Sequence, residues 1–316
     1  MGRARIAAFR DVDVPDQTGR TIVVSGATGG LGLRVAEVLA AHGARVLVGS
    51  RNAERGRTAL ERISAAASGA VPELLALDLA SLDSVRAAAA DIRKRTGDRL
   101  DVLINNGGIM APPLNFSVDG FESQWATNVI GPALLTRLLR PALEQVPGSR
   151  VVFVSSTRHR SAKLDEARLR ADVRGEDYRG FDYYGRTKLA DLLLSYELER
   201  EFRHAGAQTL SVAAHPGFSA TGIVGSGFAA LPNILRPIAN WGSDVLGQPV
   251  AIGALPILYA ATAPGVSGDD YIGPRWLGGL RGRPAHARRS RESTNDEKGR
   301  TLVRVVEQLT DSVSGT

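Results

Sequence analysis

The sequence predicts an α/β fold, a doubly wound parallel sheet in a single domain spanning residues 1–316. Three observations predict it. Strand-like and helix-like segments alternate, the strand-like runs are apolar throughout, and a glycine-rich turn joins the first strand to the first helix. Uniformly apolar strands are covered on both faces, the condition of a parallel sheet flanked by helices. A 43% hydrophobic and 23% charged composition supplies a full core.

Thr21–Ser25 (TIVVS) is β-branched and ends at Gly26, as a buried strand does. Leu31–His42 has helical apolar spacing and stops at Gly43, a C-cap. Arg45–Val48 is the second strand, followed by an Ala-rich helix to about Ala67. Glu73–Leu77 is the third, and Ser81 caps a helix reaching about Thr96. Leu100–Ile104 is the fourth strand, and a long helix over roughly Gly120–Gln145 breaks near Pro132. Arg150–Ser155 is the fifth strand, Tyr183–His204 a helix, and Thr209–Ala213 the sixth strand. Val245–Ala263 is apolar but holds Gln248, Pro249 and Pro256, so it suits a packed helix better than a membrane span. Ser293–Leu309 reads as a helix capped by Thr294 or Asn295.

Two segments break the rhythm. Residues 158–182 form a charged insertion, and residues 222–242 an apolar flap punctuated by Gly and Pro. Phe218, Ile223, Val224, Phe228, Leu231, Ile234, Leu235 and Trp241 make that region suited to a hydrophobic substrate, to packing of the flap itself, or to a subunit contact. Residues 1–19 read as a polar leader and residues 275–316 as a C-terminal extension.

Composition also excludes. No cysteine is present, which removes disulfides, thiolate catalysis and Cys-bearing zinc sites. His159 and His215 lack partners at metal-ligand spacing, so no metal is expected. Ser156 lacks the G-x-S-x-G surroundings of a hydrolase nucleophile. The net charge of +6 is concentrated in Arg281–Arg291, which reads as a surface loop rather than a nucleic-acid patch. The first twenty residues have no apolar signal core, so a soluble, cytoplasmic protein is expected.

The turn Gly26-Ala27-Thr28-Gly29-Gly30-Leu31-Gly32 follows a strand and opens a helix. Glycines there allow a sharp bend and close approach to a pyrophosphate, while the helix N-terminus offers free N–H groups. The spacing through Gly26, Gly30 and Gly32 resembles the short-chain dehydrogenase/reductase family, and implies a Rossmann-type fold and a nicotinamide dinucleotide.

Further residues carry the resemblance. Ser50-Arg51 follows the second strand with no acid before Glu54; Arg51 is either a ligand of the NADP 2′-phosphate or a solvated arginine, and NADP(H) is expected over NAD(H). Asp78-Leu79 ends the third strand, where the resemblance implies an adenine contact and an ordinary turn-forming Asp looks the same. Asn105-Asn106-Gly107-Gly108 resembles the family's N-N-A-G. Tyr184 and Lys188, at i and i+4, share a helix face, so the ammonium sits beside the phenol and favours phenolate. Tyr183 has Thr187 four residues on and cannot make this pair. Ser155 and Ser156 both end the fifth strand; the resemblance selects Ser156, 28 residues before Tyr184 because of the insertion. Similar insertions occur in retinol-dehydrogenase-like and protochlorophyllide-reductase-like members.

Asn128 matches the helix asparagine that holds a water near the lysine, and Pro216, Gly217 and Thr221 match the segment orienting the carboxamide. Together these imply catalytic Asn128, Ser156, Tyr184 and Lys188, with a cofactor held by Gly26, Thr28, Gly30, Leu31, Gly32, Ser50, Arg51, Asp78, Leu79, Asn105, Asn106, Gly107, Tyr184, Lys188, Pro216, Gly217 and Thr221. The implied reaction passes hydride between NADP(H) and a carbonyl or alcohol carbon of a hydrophobic small molecule. Reduction of a C=C bond and a non-catalytic dinucleotide sensor are the alternatives. A homodimer or homotetramer through the helices after the fourth and fifth strands is expected, and nucleic acid is not.

Overall fold

A computed structural model describes residue 6 and residues 8–218 and 248–313. Eight strands form one sheet: β1 (Thr21–Ser25), β2 (Arg45–Ser50), β3 (Glu73–Ala76), β4 (Val102–Asn105), β5 (Arg150–Val154), β6 (Leu210–Ala214), β7 (Tyr271–Trp276) and β8 (Arg281–His286). Their order is β3-β2-β1-β4-β5-β6-β7-β8. All neighbours pair parallel except β7 and β8. The chain leaves β3 at one edge and re-enters beside β1 as β4. That reversal opens a crevice at the carboxyl ends of β1 and β4, where open α/β sheets bind ligands.

Alternate strand residues feed two cores. Val23, Leu103 and Val151 face one layer with α3 (Leu82–Thr96), α4 (Gly131–Glu144), α5 (Glu166–Val173), α6 (Gly180–His204) and α8 (Asp296–Ser312). Ile22, Val24, Ile104 and Val152 face α1 (Gly30–Ala41), α2 (Ala53–Ala66) and α7 (Val250–Thr262). Both faces are dry, so no polar alternation survives in the sequence. Each such side chain contributes roughly 1.5–3 kcal/mol of burial.

The structure departs from expectation in three places. Arg281–His286, expected as part of a surface loop, is edge strand β8, with Pro284 opposite Pro274. Arginine, glycine and proline suit an edge, where one side of the ladder needs no partner. The described part of the leader is anchored in the core: Phe9 and Val14 are buried, and the Phe9 ring lies 5.2 Å from Tyr259. The irregularity expected at Pro132 lies upstream, in a π turn over Ala126–Ile130. Helices α4 and α6 carry α8, whose Leu302, Val305 and Val306 are buried and whose Asp311 meets Arg137 at 2.7 Å.

The insertion is folded. Its helix α5 buries Asp172 against Arg168, Arg186 and Trp125. The flap over residues 222–242 and Thr221 lie outside the described residues. Among the described residues no helix is long and apolar enough to cross a membrane.

Candidate active site

The turn after β1 packs directly on the end of β4. Gly26 has φ 64° and Gly30 φ 52°, left-handed conformations that glycine adopts without strain. A Cβ on Gly26 would stand 2.6 Å from Gly107 Cα, and one on Gly32 would strike Asn106 Nδ2 and Gly26 O. Asn106 Nδ2 donates to Ser25 O at 2.9 Å and Gly26 O at 3.3 Å. Ser25 Oγ accepts from Asn106 N and Gly107 N, both at 3.0 Å. Asn106 and Ser25 therefore lace the two crevice turns together.

Side chains cap α2, α3, α5 and α8 (Asn52, Ser81, Asp165 and Asn295), whereas α1 has no side-chain cap. Its first intrahelical bond is Leu33 N–H to Gly29 O, so the N–H groups of Gly30, Leu31 and Gly32 precede the ladder. They form an anion-binding donor set at the crevice floor, which fits a pyrophosphate.

At the β2 end, Ser50 Oγ donates to Asn52 O at 2.7 Å and accepts from Asn52 N at 3.2 Å. Its hydroxyl is thus committed to the turn, which presents the exposed Arg51. The Arg55 guanidinium lies 3.9 Å from where a Cβ on Gly29 would stand, so a second cation borders the phosphate turn. Asp78 accepts from Ala80 N at 3.0 Å, closing its own turn, and buried Leu79 packs against Gly107. Asn105 ends β4 with its side chain turned to the helix layer. Its Nδ2 donates to Thr136 on α4 at 2.9 Å.

The catalytic candidates converge from three elements. Lys188 Nζ lies over the Tyr184 ring, 5.7 Å from its centroid. Tyr183 is fully buried and donates to Glu176 O at 2.5 Å, whereas Tyr184 is half-buried. Ser155 Oγ donates to Lys188 O at 2.7 Å deep in the fold, leaving Ser156 as the half-buried hydroxyl, which among the described residues accepts from Arg158 N at 3.3 Å. Asn128, in the π turn, clamps the Ile109 peptide through bonds of 2.8 and 3.0 Å and donates to Thr187 at 3.1 Å. A Cβ on Gly108 would stand 3.1 Å from Asn128 Oδ1 and 3.7 Å from Lys188 Nζ, so both groups border that glycine.

After β6, His215 Nδ1 accepts from Gly217 N at 3.2 Å and holds Gly217 at φ 72°. Pro216 O accepts from Gln248 Nε2 at 2.5 Å. Burial holds His215 down at about 3 and His159 at about 4, so both rings are neutral. No cluster of three or more potential ligands that could hold a metal occurs among the described residues. Sequence reasoning missed Ser25, Arg55 and Asp191. Asp191 was readable as a carboxylate three residues after Lys188, on the same helix face.

A family model described as short chain dehydrogenase matches residues 20–164. Polyprenol dehydrogenase of Mus musculus is 35% identical over 274 residues, 85% of this chain and 78% of that one. The chain belongs to the short-chain dehydrogenase/reductase family. Within this oxidoreductase family it is of the retinol-dehydrogenase-like type: retinol dehydrogenase 14 of Mus musculus is 35% identical over 260 residues, 79% of this chain and 75% of that one. A crystal structure of a Mycobacterium paratuberculosis protein is similar with a TM-score of 0.77 at 34% identity, covering 96% of this chain and 98% of that one.

Proposed function

We propose that this short-chain dehydrogenase/reductase exchanges hydride between NADP(H) and the carbonyl or alcohol carbon of an apolar small molecule. The observation that carries this reading is the Lys188 ammonium fixed over the Tyr184 ring, 5.7 Å from its centroid. The bound nicotinamide supplies or accepts the hydride, and the chain supplies geometry and charge. The N–H groups of Gly30, Leu31 and Gly32 bind the pyrophosphate, and Arg51 with Arg55 pairs with the 2′-phosphate. Ser156 donates to the substrate oxygen. Tyr184 gives or takes the proton at that oxygen, and Lys188 stabilises its phenolate and holds the ribose. Asn128 fixes the Ile109 peptide and supports the water that returns the proton. Pro216, Gly217 and Thr221 orient the carboxamide.

A screen of NADPH oxidation with apolar aldehydes, ketones, quinones and α,β-unsaturated carbonyls tests the reading. Turnover of aldehydes or ketones to alcohols is expected. Saturation of C=C bonds alone would make the chain a double-bond reductase, and tight NADPH binding without turnover would make it a sensor.

Arg51→Ala tests the cofactor assignment. Loss of one charge-assisted phosphate contact predicts a KM for NADPH raised roughly 10- to 100-fold, with the KM for NADH nearly unchanged. Equal effects on the two cofactors would return Arg51 to the solvated surface.

A further inference from the structure

Lys188 is buried, with 8% of its side chain exposed, and so is Asp191, with 4%. Two of the three ammonium N–H groups are taken, one by Val154 O at 3.0 Å and one by Asp191 Oδ2 at 2.8 Å. Asp191 lies at i+7 from Tyr184, so phenol, ammonium and carboxylate form one row along the helix.

We propose that Asp191 is a positioning residue for the reaction: by holding the Lys188 ammonium, it sets the pH range over which Tyr184 exchanges its proton. The inference rests on the proposed roles of Tyr184 and Lys188. It goes beyond them by assigning the charge beside the lysine to the site.

A buried ammonium without a counter-charge loses its proton at much lower pH than one in water. Burial works against the Lys188 charge; the nearby Asp191 and Tyr184 outweigh it and hold the ammonium above the usual lysine range. Burial in turn holds Asp191 up at about 6, partly offset by Lys188. The carboxylate thus keeps the cation charged and offsets part of its pull on the phenolate.

Among the described residues, the other titratable or charged groups reach the pair through Tyr271 on β7, which interacts with Asp191 and is itself met by Tyr196 on α6, His159 and Arg160 after β5, and His215 after β6. Burial holds Tyr271 well above 10 and keeps both histidines neutral. Arginine stays charged throughout. Above about pH 6, where Asp191 is ionised, the Lys188–Asp191 pair stands beside Tyr184 and Arg160 adds a fixed positive charge.

Profiles of kcat/KM against pH for alcohol oxidation with NADP+ test the proposal on wild type, Asp191→Asn and Asp191→Glu. The asparagine keeps shape and removes charge. Its uncompensated cation stabilises the phenolate more strongly, while the lysine deprotonates earlier. Both limbs are expected to move to lower pH by about one unit. Asp191→Glu keeps the charge and is expected to retain the wild-type limbs at a reduced kcat. Superimposable wild-type and Asp191→Asn profiles overturn the proposal, whatever happens to kcat.

Thermal melting reads the pair without turnover. Lys188→Met and Asp191→Asn each leave one buried partner unmatched, so the double variant is expected to melt above both singles. A double variant melting below both overturns the pairing. If wild type oxidises no alcohol, the proposed reaction fails, and the melting comparison alone decides whether Asp191 holds Lys188.

Discussion

Tyr184→Phe is expected to lower kcat roughly 100- to 10,000-fold, the range attributed to general acid–base groups. NADP(H) affinity should stay within a few-fold of wild type, because the proposed pyrophosphate and 2′-phosphate contacts come from Gly30–Gly32 and Arg51. The neighbouring tyrosine is the control. Tyr183 is buried and bonded to Glu176 O, so Tyr183→Phe should cost about 1 kcal/mol of stability and leave the chemistry largely intact. Steady-state rates with a carbonyl substrate, and cofactor titration by fluorescence quenching, separate the two. Activity retained in Tyr184→Phe would remove the phenol from the mechanism.

Asp172→Ala is expected to have the largest structural effect. The Asp172 carboxylate is fully buried and accepts from Arg168 Nε at 2.6 Å, Arg186 Nη2 at 3.0 Å and Trp125 Nε1 at 3.3 Å, with Arg186 Nε also bonded. It joins the insertion helix α5 to the first turns of α6 and to the segment before the π turn. Arg186 also stacks over the Tyr183 ring, 4.9 Å from its centroid. Removing the shared anion leaves the largely buried Arg186 guanidinium without its carboxylate, while Arg168 keeps Asp177 and Glu176 O, at a cost of about 3–5 kcal/mol. For a chain of this size that lowers Tm by on the order of 10 °C. Since α6 carries Tyr184 and Lys188, kcat should fall more than cofactor affinity. A melting temperature within two or so degrees of wild type would show that the insertion does not anchor the catalytic helix.

Strands β1, β2, β4, β5 and β6 were legible because both their faces are largely buried, which leaves a mostly apolar run for each; edge strand β3, with Ala76 exposed, was legible from Leu74 and Leu75. Strands β7 and β8 were not. Gly273, Pro274, Gly282 and Pro284 carry turn signals, and β8 has only one neighbour to demand apolar side chains. The leader misled for a different reason: the partner that buries Phe9 is Tyr259, about 250 residues away in the chain.

At the site, Tyr184 and Lys188 were readable because i, i+4 spacing on a helix fixes a shared face. Asp191 shares that face too, yet a carboxylate beside a lysine on a helix usually marks a solvated surface pair. Only the burial of both groups distinguishes the two cases. Asn105 and Asn106 illustrate the period of two. As neighbours on a strand edge their side chains part, one to Thr136 on α4 and one to the phosphate turn. Ser50 was chosen by residue type, and its hydroxyl is bonded within its own turn.

A crystal structure of the chain with NADP(H) bound bears most directly on the phenol–ammonium pair as the seat of proton transfer. The expected complex has the nicotinamide ring beside the Tyr184 hydroxyl, the ribose on Lys188 and the pyrophosphate on the N–H groups of Gly30–Gly32. A dinucleotide seated elsewhere, or a nicotinamide ring beyond reach of the Tyr184 hydroxyl, would contradict it.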